Sequence, residues 1–445
     1  AVTDACRPIL SKQRRSEHLL RLVDRVLEAA ADPVYAQRKD MWTRHNRLET
    51  VPKTPVFVCL KRGSGRAANP VAWNEVLPAE SRVSIDPLER EIDLQLLQKL
   101  FKHDQVPDDD ILLSTLWLRA IPPRGDSPES AQTIRPTGPS VDSDGQESAR
   151  LWGLPFKTRT TADPGGAYAV EPVVSTEADL EKLHRPRYAI DETGTRRLQA
   201  RAQELVDGRI PVKIKTDEVG YSPTEVMISL MGMEAVLYAV IERPRLVHRL
   251  MELITQGMIA YHLEREAAGA VDPEESWGYR VQYEELPAGA DTARLAYCWP
   301  IIAAQSMCGI SPAMYEEFVQ PYHARLAEVV SDHRVYYHGC ENLTAKIPII
   351  RHLPNLRRFH MSAWTDLEVA ARQLGRDFVL EVCNHPETLA VQSPEQMRKD
   401  VERIMEVAGE CIIDINLGEI ETVFGNPSVL GTWARIAQEV VADYA

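Results

Sequence analysis

Arg334-Val335-Tyr336-Tyr337-His338-Gly339-Cys340 is the stretch on which the fold reading turns. A short β-branched and aromatic run leads directly into a small polar tripeptide. Similar runs follow at Arg358-Phe359-His360-Met361-Ser362, Asp377-Phe378-Val379-Leu380-Glu381-Val382 and Cys411-Ile412-Ile413-Asp414-Ile415-Asn416. Helical segments fill the gaps where these are long enough, as over residues 366–374. Strands alternating with helices imply parallel strands joined by right-handed crossovers. The alternation suits a closed barrel or a doubly wound open sheet. No Gly-x-Gly-x-x-Gly follows a strand, so a dinucleotide-binding reading lacks support. The expected fold class is α/β, a (β/α)8 TIM barrel with a mainly helical N-terminal extension.

Upstream, Ser311-Pro312-Ala313-Met314 reads as a helix opening, with Ser311 as N-cap and Pro312 in the first turn. Ile210-Pro211-Val212-Lys213-Ile214-Lys215 reads as a strand. Residues 233–260 read as one or two helices, with Arg243-Pro244 marking a helix start. Residues 121–150 are rich in Pro, Ser, Gly and Asp and read as a loop excursion. Before them, Leu19, Leu22, Val23, Val26 and Leu27 recur at helical spacing, Pro55 to Leu60 is a short buried-strand candidate, and residues 94–101 read as a helix. The expected organisation is a helical extension or cap over residues 1–120, a loop over 121–150 and a catalytic barrel over 151–445.

Composition narrows the function classes. With 51 Lys plus Arg against 65 Asp plus Glu, the formal charge of this 445-residue chain is −14. Sequence-independent nucleic-acid binding needs clustered cations, so no nucleic-acid partner is expected. No run reaches the ~18 apolar residues of a membrane span, and the first residues lack a secretory pattern. The expected location is cytoplasmic. Seven widely spaced cysteines do not form a disulfide framework. Cys298, Cys308 and Cys411 adjoin apolar runs and read as core.

Each late strand ends in polar residues: His338, Cys340 and Glu341; Ser362, Trp364 and Asp366; Cys383, Asn384, His385 and Glu387; Asn416, Glu419 and Glu421. In a barrel the carboxyl ends of all strands share one face, which carries the active site. Convergence of these clusters is the main argument for an enzyme. His338 and Cys340, two apart at an extended strand end, project to one side. An imidazole and a thiolate suit a soft divalent ion such as zinc, with cobalt or another divalent metal also fitting. Cys383 is a candidate third ligand, and Glu341 a fourth or an orienting partner of His338. Read without metal, His338 is a buried hydrogen-bonded histidine or an acid–base group. Trp277, Tyr279, Tyr283 and Glu285 follow a hydrophobic helix and either line a pocket for a planar substrate or pack on the barrel rim. Gln305, Trp364, His385 and Asn416 complete the substrate-binding candidates. His338, Glu341, Asp366 and Glu419 are the catalytic candidates.

Several segments together resemble the uroporphyrinogen decarboxylase superfamily, which includes zinc- and corrinoid-linked methyltransferases. Leu230-Met231-Gly232-Met233-Glu234 with the helix after Arg243-Pro244 is similar to the family's glycine-containing loop and following helix. Gly309-Ile310-Ser311-Pro312 through Phe318, then Pro321-Tyr322, resembles a family signature. Tyr337-His338-Gly339-Cys340 resembles the methyltransferase His-x-Cys motif, and Cys383-Asn384-His385-Pro386 sits where the family has an asparagine–proline turn. The arginine-rich opening of true decarboxylases has no counterpart, since Arg14-Arg15 and Arg38-Lys39 stand in other contexts. The resemblance therefore implies the methyltransferase branch: a metal-dependent methyltransferase or demethylase. It would move a methyl group between a small, aromatic or heteroaromatic substrate and a corrinoid on a partner protein, or another acceptor. One departure stands out. The last strand, Ile415-Asn416-Leu417-Gly418-Glu419, lacks the family's final cysteine, leaving Cys383, Glu419 or Glu341 as substitutes. The alternative is a metal-free decarboxylase or lyase using His338 and nearby carboxylates. A third reading is a barrel that keeps its pocket without chemistry. A homodimer is one expected assembly.

Overall fold

The computed structural model describes residues 12–60, 70–77, 82–84, 86–123, 150–155, 158–160, 168–276, 282–385, 388–418 and 420–445. Eight parallel strands line the barrel: β1 Val56–Val58, β2 Leu116–Arg119, β3 Val212–Lys215, β4 Ile301–Ala303, β5 Val335–His338, β6 Leu356–Met361, β7 Val379–Asn384 and β8 Ile412–Leu417. Six form one hydrogen-bonded sheet in the order β1-β8-β7-β6-β5-β4, and β2 pairs with β3. Strand order around the wall thus follows chain order, and the first strand closes on the last through Val56↔Ile415.

Two seams lack strand ladders, and side chains satisfy the buried backbone there. At the β1–β2 seam, Val56 N–H donates to Asp109 Oδ2 (2.9 Å) and Val58 N–H to Asp108 Oδ2 (2.8 Å). At the β3–β4 seam, Ala303 N–H donates to Ser222 Oγ (3.0 Å) and Thr224 Oγ1 donates to Ala303 O (2.9 Å). Ser222 and Thr224 stand at the opening of the helix Pro223–Met231, which follows β3.

The expected helix start at Ser311 forms, with Ser311 Oγ accepting from Met314 N–H at 3.2 Å. Arg243-Pro244 likewise opens the helix Pro244–Ala267. The expected domain boundaries require correction. β1 and β2 come from before residue 120, so the barrel does not begin at residue 151. Strands of three and four residues carry too little alternation to announce themselves as barrel staves. The loop expected over 121–150 lies almost wholly outside the described residues.

The N-terminal helices are built into the barrel. Lys12–Ala30 packs Leu19, Val23 and Val26 with Ile92, Leu96, Ala202, Leu116 and Val212, on the outside of β2 and β3. Pro33–Asn46 closes one end of the barrel. Its Trp42 is buried and donates Nε1–H to Asp109 O at 2.8 Å, and Met41 and Trp42 pack with Phe57, Cys59 and Ile111. Among the described residues, no single helix is long and apolar enough to cross a membrane.

Candidate active site

Each residue of β5 is buried, as expected for a strand covered on both faces. Alternation separates the two faces. Val335 and Tyr337 join the apolar layer under the helices, where Tyr315 donates a hydrogen bond to Tyr337 Oη at 3.0 Å. Tyr336 and His338 point inward. The same alternation in the next strands turns Phe359, Leu380, Val382, Ile413 and Ile415 outward. It turns Arg358, His360, Glu381, Cys383, Asp414 and Asn416 inward. Barrel interiors are usually filled by branched aliphatics. Here buried, hydrogen-bonded polar groups occupy that position.

The network begins at the closed end. Arg358 Nη2 donates to Asp414 Oδ2 (2.8 Å) and Glu381 Oε2 (3.1 Å), and Nη1 to Asn46 Oδ1 (2.8 Å). His45 Nε2 lies 2.9 Å from Asp414 Oδ2. Burial pushes the His45 pKa down, against the opposing pull of Asp414. Toward the other end, Tyr336 Oη donates to Glu381 Oε1 at 3.0 Å and lies 3.1 Å from His338 Nδ1 and 3.2 Å from His360 Nδ1. Asn416 Nδ2 donates to Glu381 Oε1 at 2.9 Å. The rings of His338 and His360 stand 4.4 Å apart between centroids. Finally, His338 Nε2 and Cys340 Sγ face each other at 3.3 Å, at the carboxyl end of β5.

Glu341 follows Cys340. Its carbonyl accepts from Ser362 Oγ at 2.6 Å. Among the described residues its buried carboxylate oxygens have no hydrogen-bond partner. Burial raises its pKa, its own backbone N–H and Lys346 oppose that shift, and Glu225 adds to it. The carboxylate folds back so closely that a Cβ at Gly339 would meet Glu341 Oε2 at 2.6 Å. A side chain at position 339 would therefore displace the Glu341 carboxylate. Lys346 is itself buried, donates to Met307 O at 3.0 Å, and burial lowers its pKa.

Sequence and structure agree on some site residues and part on others. His338 and Cys340 are brought together, and Asn416 joins the same interior network. Trp364 and His385 stack edge to face at 4.7 Å beyond the ends of β6 and β7, and Trp364 is exposed. Gln305 is exposed just after β4. Asp366 is corrected from a catalytic to a structural residue: it is exposed and caps the helix Leu367–Leu374, its Oδ1 accepting from Val369 N–H at 3.0 Å. Tyr283 and Glu285 are corrected too. Tyr283 packs beside Trp42 and Met41, and its carbonyl accepts from Asn46 Nδ2 at 2.7 Å. Glu285 N–H donates to Thr43 Oγ1 at 3.0 Å. Both sit at the closed end, opposite His338, because Glu284 between them pairs with Arg334 at the start of β5 (2.9 Å). Trp277, Tyr279 and Glu419 lie outside the described residues. Cys298 is core as expected, its thiol pushed up to about 12 by burial, whereas Cys308 is exposed.

The metal expectation can be tested on donor geometry. A tetrahedral zinc with Zn–N of ~2.1 Å and Zn–S of ~2.3 Å would separate its N and S donors by about 3.6 Å. The His338–Cys340 pair spans such an edge closely. The expected trio with Cys383 does not form. Cys383 is buried and its thiol donates to Asn384 O at 3.5 Å. Among the described residues no three His, Cys, Asp or Glu side chains are gathered to hold an ion.

Sequence reasoning missed Tyr336, Arg358, His360, Glu381, Asp414 and His45 as site residues. A signal was available: Tyr336/His338, Arg358/His360 and Asp414/Asn416 are polar pairs two apart inside buried strands.

Comparison with curated proteins finds no match. Residues 298–418 match the family model described as uroporphyrinogen decarboxylase (URO-D). The fold is similar to that of a solved structure, a methyltransferase from Methanosarcina mazei, with a TM-score of 0.52 and 13% sequence identity. The alignment covers 92% of this chain and 99% of that one. The strand topology is that of a (β/α)8 barrel, and the family match falls on its strands β4 to β8.

Proposed function

We propose that this barrel is an enzyme that transfers a methyl group to or from a heteroatom of a small substrate at the His338–Cys340 pair. The supporting observation is the 3.3 Å approach of His338 Nε2 to Cys340 Sγ at the carboxyl end of β5, with His338 anchored from behind by Tyr336. That face of a barrel is where substrates are handled. The His338 imidazole holds the thiol in place and can accept its proton, since the thiolate is the reactive form of cysteine. Tyr336 and Glu381 keep the ring from turning. The buried interior excludes water from the inner side of the pair.

The cofactor in this reading is a soft divalent ion, zinc first and cobalt second, bound at the pair. Its other donors are not gathered among the described residues, so no step is written through it. The methyl partner in this reading is a corrinoid carried by a separate protein. Metal content of purified protein checks the proposal: about one equivalent is expected, dropping on Cys340→Ser substitution. Less than ~0.1 equivalent of zinc or cobalt, with methyl transfer untouched by a chelator, would sink the metal part.

A second reading, a metal-free decarboxylase or lyase, is favoured by Glu341. Burial raises its pKa, the direction that suits a proton donor. Carbon dioxide release from a candidate acid by the Cys340→Ser variant at the wild-type rate would favour it over methyl transfer.

A further inference from the structure

The hydrogen bonds around Tyr336 contain a proton assignment. Three donors converge on Glu381: Tyr336 Oη (3.0 Å) and Asn416 Nδ2 (2.9 Å) on Oε1, and Arg358 Nη2 (3.1 Å) on Oε2, while His360 Nδ1 lies 3.3 Å from Oε1. With a guanidinium on it, Glu381 is a carboxylate, and a carboxylate only accepts. Tyr336 has one hydroxyl proton, and Glu381 takes it. The Tyr336 oxygen is left with its acceptor capacity alone. His338 Nδ1, 3.1 Å from that oxygen, must therefore carry the proton and donate. In a neutral imidazole, protonation at Nδ1 leaves the lone pair on Nε2, the atom 3.3 Å from Cys340 Sγ.

We infer that Glu381 is a positioning residue that acts through Tyr336 to hold His338 in the Nδ1–H tautomer, so that Nε2 presents its lone pair to Cys340. The same accounting gives His360 an Nδ1 proton, shared between Tyr336 Oη at 3.2 Å and Glu381 Oε1 at 3.3 Å. A carboxylate that fixes the tautomer and orientation of a working histidine is a recurrent device in acid–base and metal sites. Here the carboxylate acts at one remove, with a phenol as the intermediate. Glu381 lies on β7 and Tyr336 on β5, so the device spans the barrel interior.

This inference deepens the proposed role of the His338–Cys340 pair and rests on it only for its purpose. The tautomer itself is read without substrate or turnover. Full-length protein with 15N-labelled histidine would be examined by long-range nitrogen–proton correlation, and the His338 signals assigned by their loss in His338→Gln. The expected wild-type pattern has a protonated, pyrrole-type Nδ1 and an unprotonated, pyridine-type Nε2. Tyr336→Phe removes the acceptor, and Glu381→Gln removes the carboxylate that orders it. Both are expected to shift His338 toward mixed tautomers. Asp414→Asn, which alters the Arg358 end of the network, is expected to leave the His338 pattern unchanged. A wild-type His338 with its proton on Nε2 overturns the inference, and so does an unchanged pattern in folded Tyr336→Phe. If a variant fails to fold, the wild-type spectrum still decides. A correct tautomer in a protein that transfers no methyl group would refute the proposed function and leave this inference standing.

Discussion

Two glutamates, one at each end of the barrel, meet opposite fates. Glu284 at the closed end is met by Arg334 at 2.9 Å, Arg47 at 3.1 Å and His333 at 3.4 Å. Burial alone would push its pKa up, but these contacts hold it down at about 2. Glu341 at the open end has no hydrogen-bonded partner for its carboxylate among the described residues, and burial raises its pKa. Glu284 is buried and Glu341 half-buried, and the groups around the two carboxylates differ. At the closed end Arg334, Arg47 and His333 stand against the Glu284 carboxylate. At the open end burial outweighs the nearby cation Lys346, and raised or lowered pKa values of this kind cluster at functional sites.

The largest test of this contrast is Arg358→Met. Losing the guanidinium leaves Glu381 and Asp414 buried without their shared cation, and breaking a buried pair costs about 3–5 kcal/mol. Denaturant unfolding should show a loss in that range, and a loss below ~1 kcal/mol would break the view of a charge-matched closed end. His338→Ala at the open end should instead lower turnover by roughly 10²–10⁴-fold, the usual contribution of one acid–base group. Its unfolding midpoint should move far less than that of Arg358→Met.

Next come the two glutamates themselves, read as stability against pH. An unfolded glutamate titrates near ~4.3. With its folded pKa held at about 2, Glu284 contributes stability that is fully present above ~4.3 and fades as pH falls toward 2. Glu341 has the opposite sign: its raised folded pKa means stability is lost as pH rises from ~4.3 through the folded value. Glu284→Gln should therefore flatten the acid limb of the stability curve. Glu341→Gln should flatten the decline above it and leave the protein at least as stable at neutral pH. Thermal melts across pH 2–7 check both, and limbs that tilt the same way would refute the contrast. The smallest effect expected is from Asp366→Ala, which should remove a helix cap worth about 1 kcal/mol and leave activity intact.

Much of the frame was legible in the chain, and the reasons are local. β5 to β8 are β-branched or aromatic runs bounded by helix signals, and Ser311-Pro312 is a helix start whose chemistry is self-contained. β1 and β2 were not legible as barrel strands. Val56–Val58 is three residues long, and only its pairing with β8, over 350 residues later, makes it a stave. The site split in the same way. His338 and Cys340 are neighbours in sequence, so their meeting follows from strand geometry. Arg358 meets Asn46 and Asp414 meets His45 across sequence separations of 312 and 369, and no local pattern encodes such contacts. Tyr283 misled because an aromatic on a long loop looks the same whichever end of the barrel the loop reaches.

Those separations have a consequence during synthesis. At ~5–20 residues per second, Asp414 leaves the ribosome roughly 20–70 s after His45. Throughout that interval the helix Pro33–Asn46 can form, but the residues it is meant to seal do not yet exist. The plug is thus made before the barrel strands and is completed only with the last of them. A nascent chain interrupted before β8 carries Arg358 and His45 without Asp414, and the half-built interior stays open to water. Acquisition of the barrel is tied to arrival of its final strand.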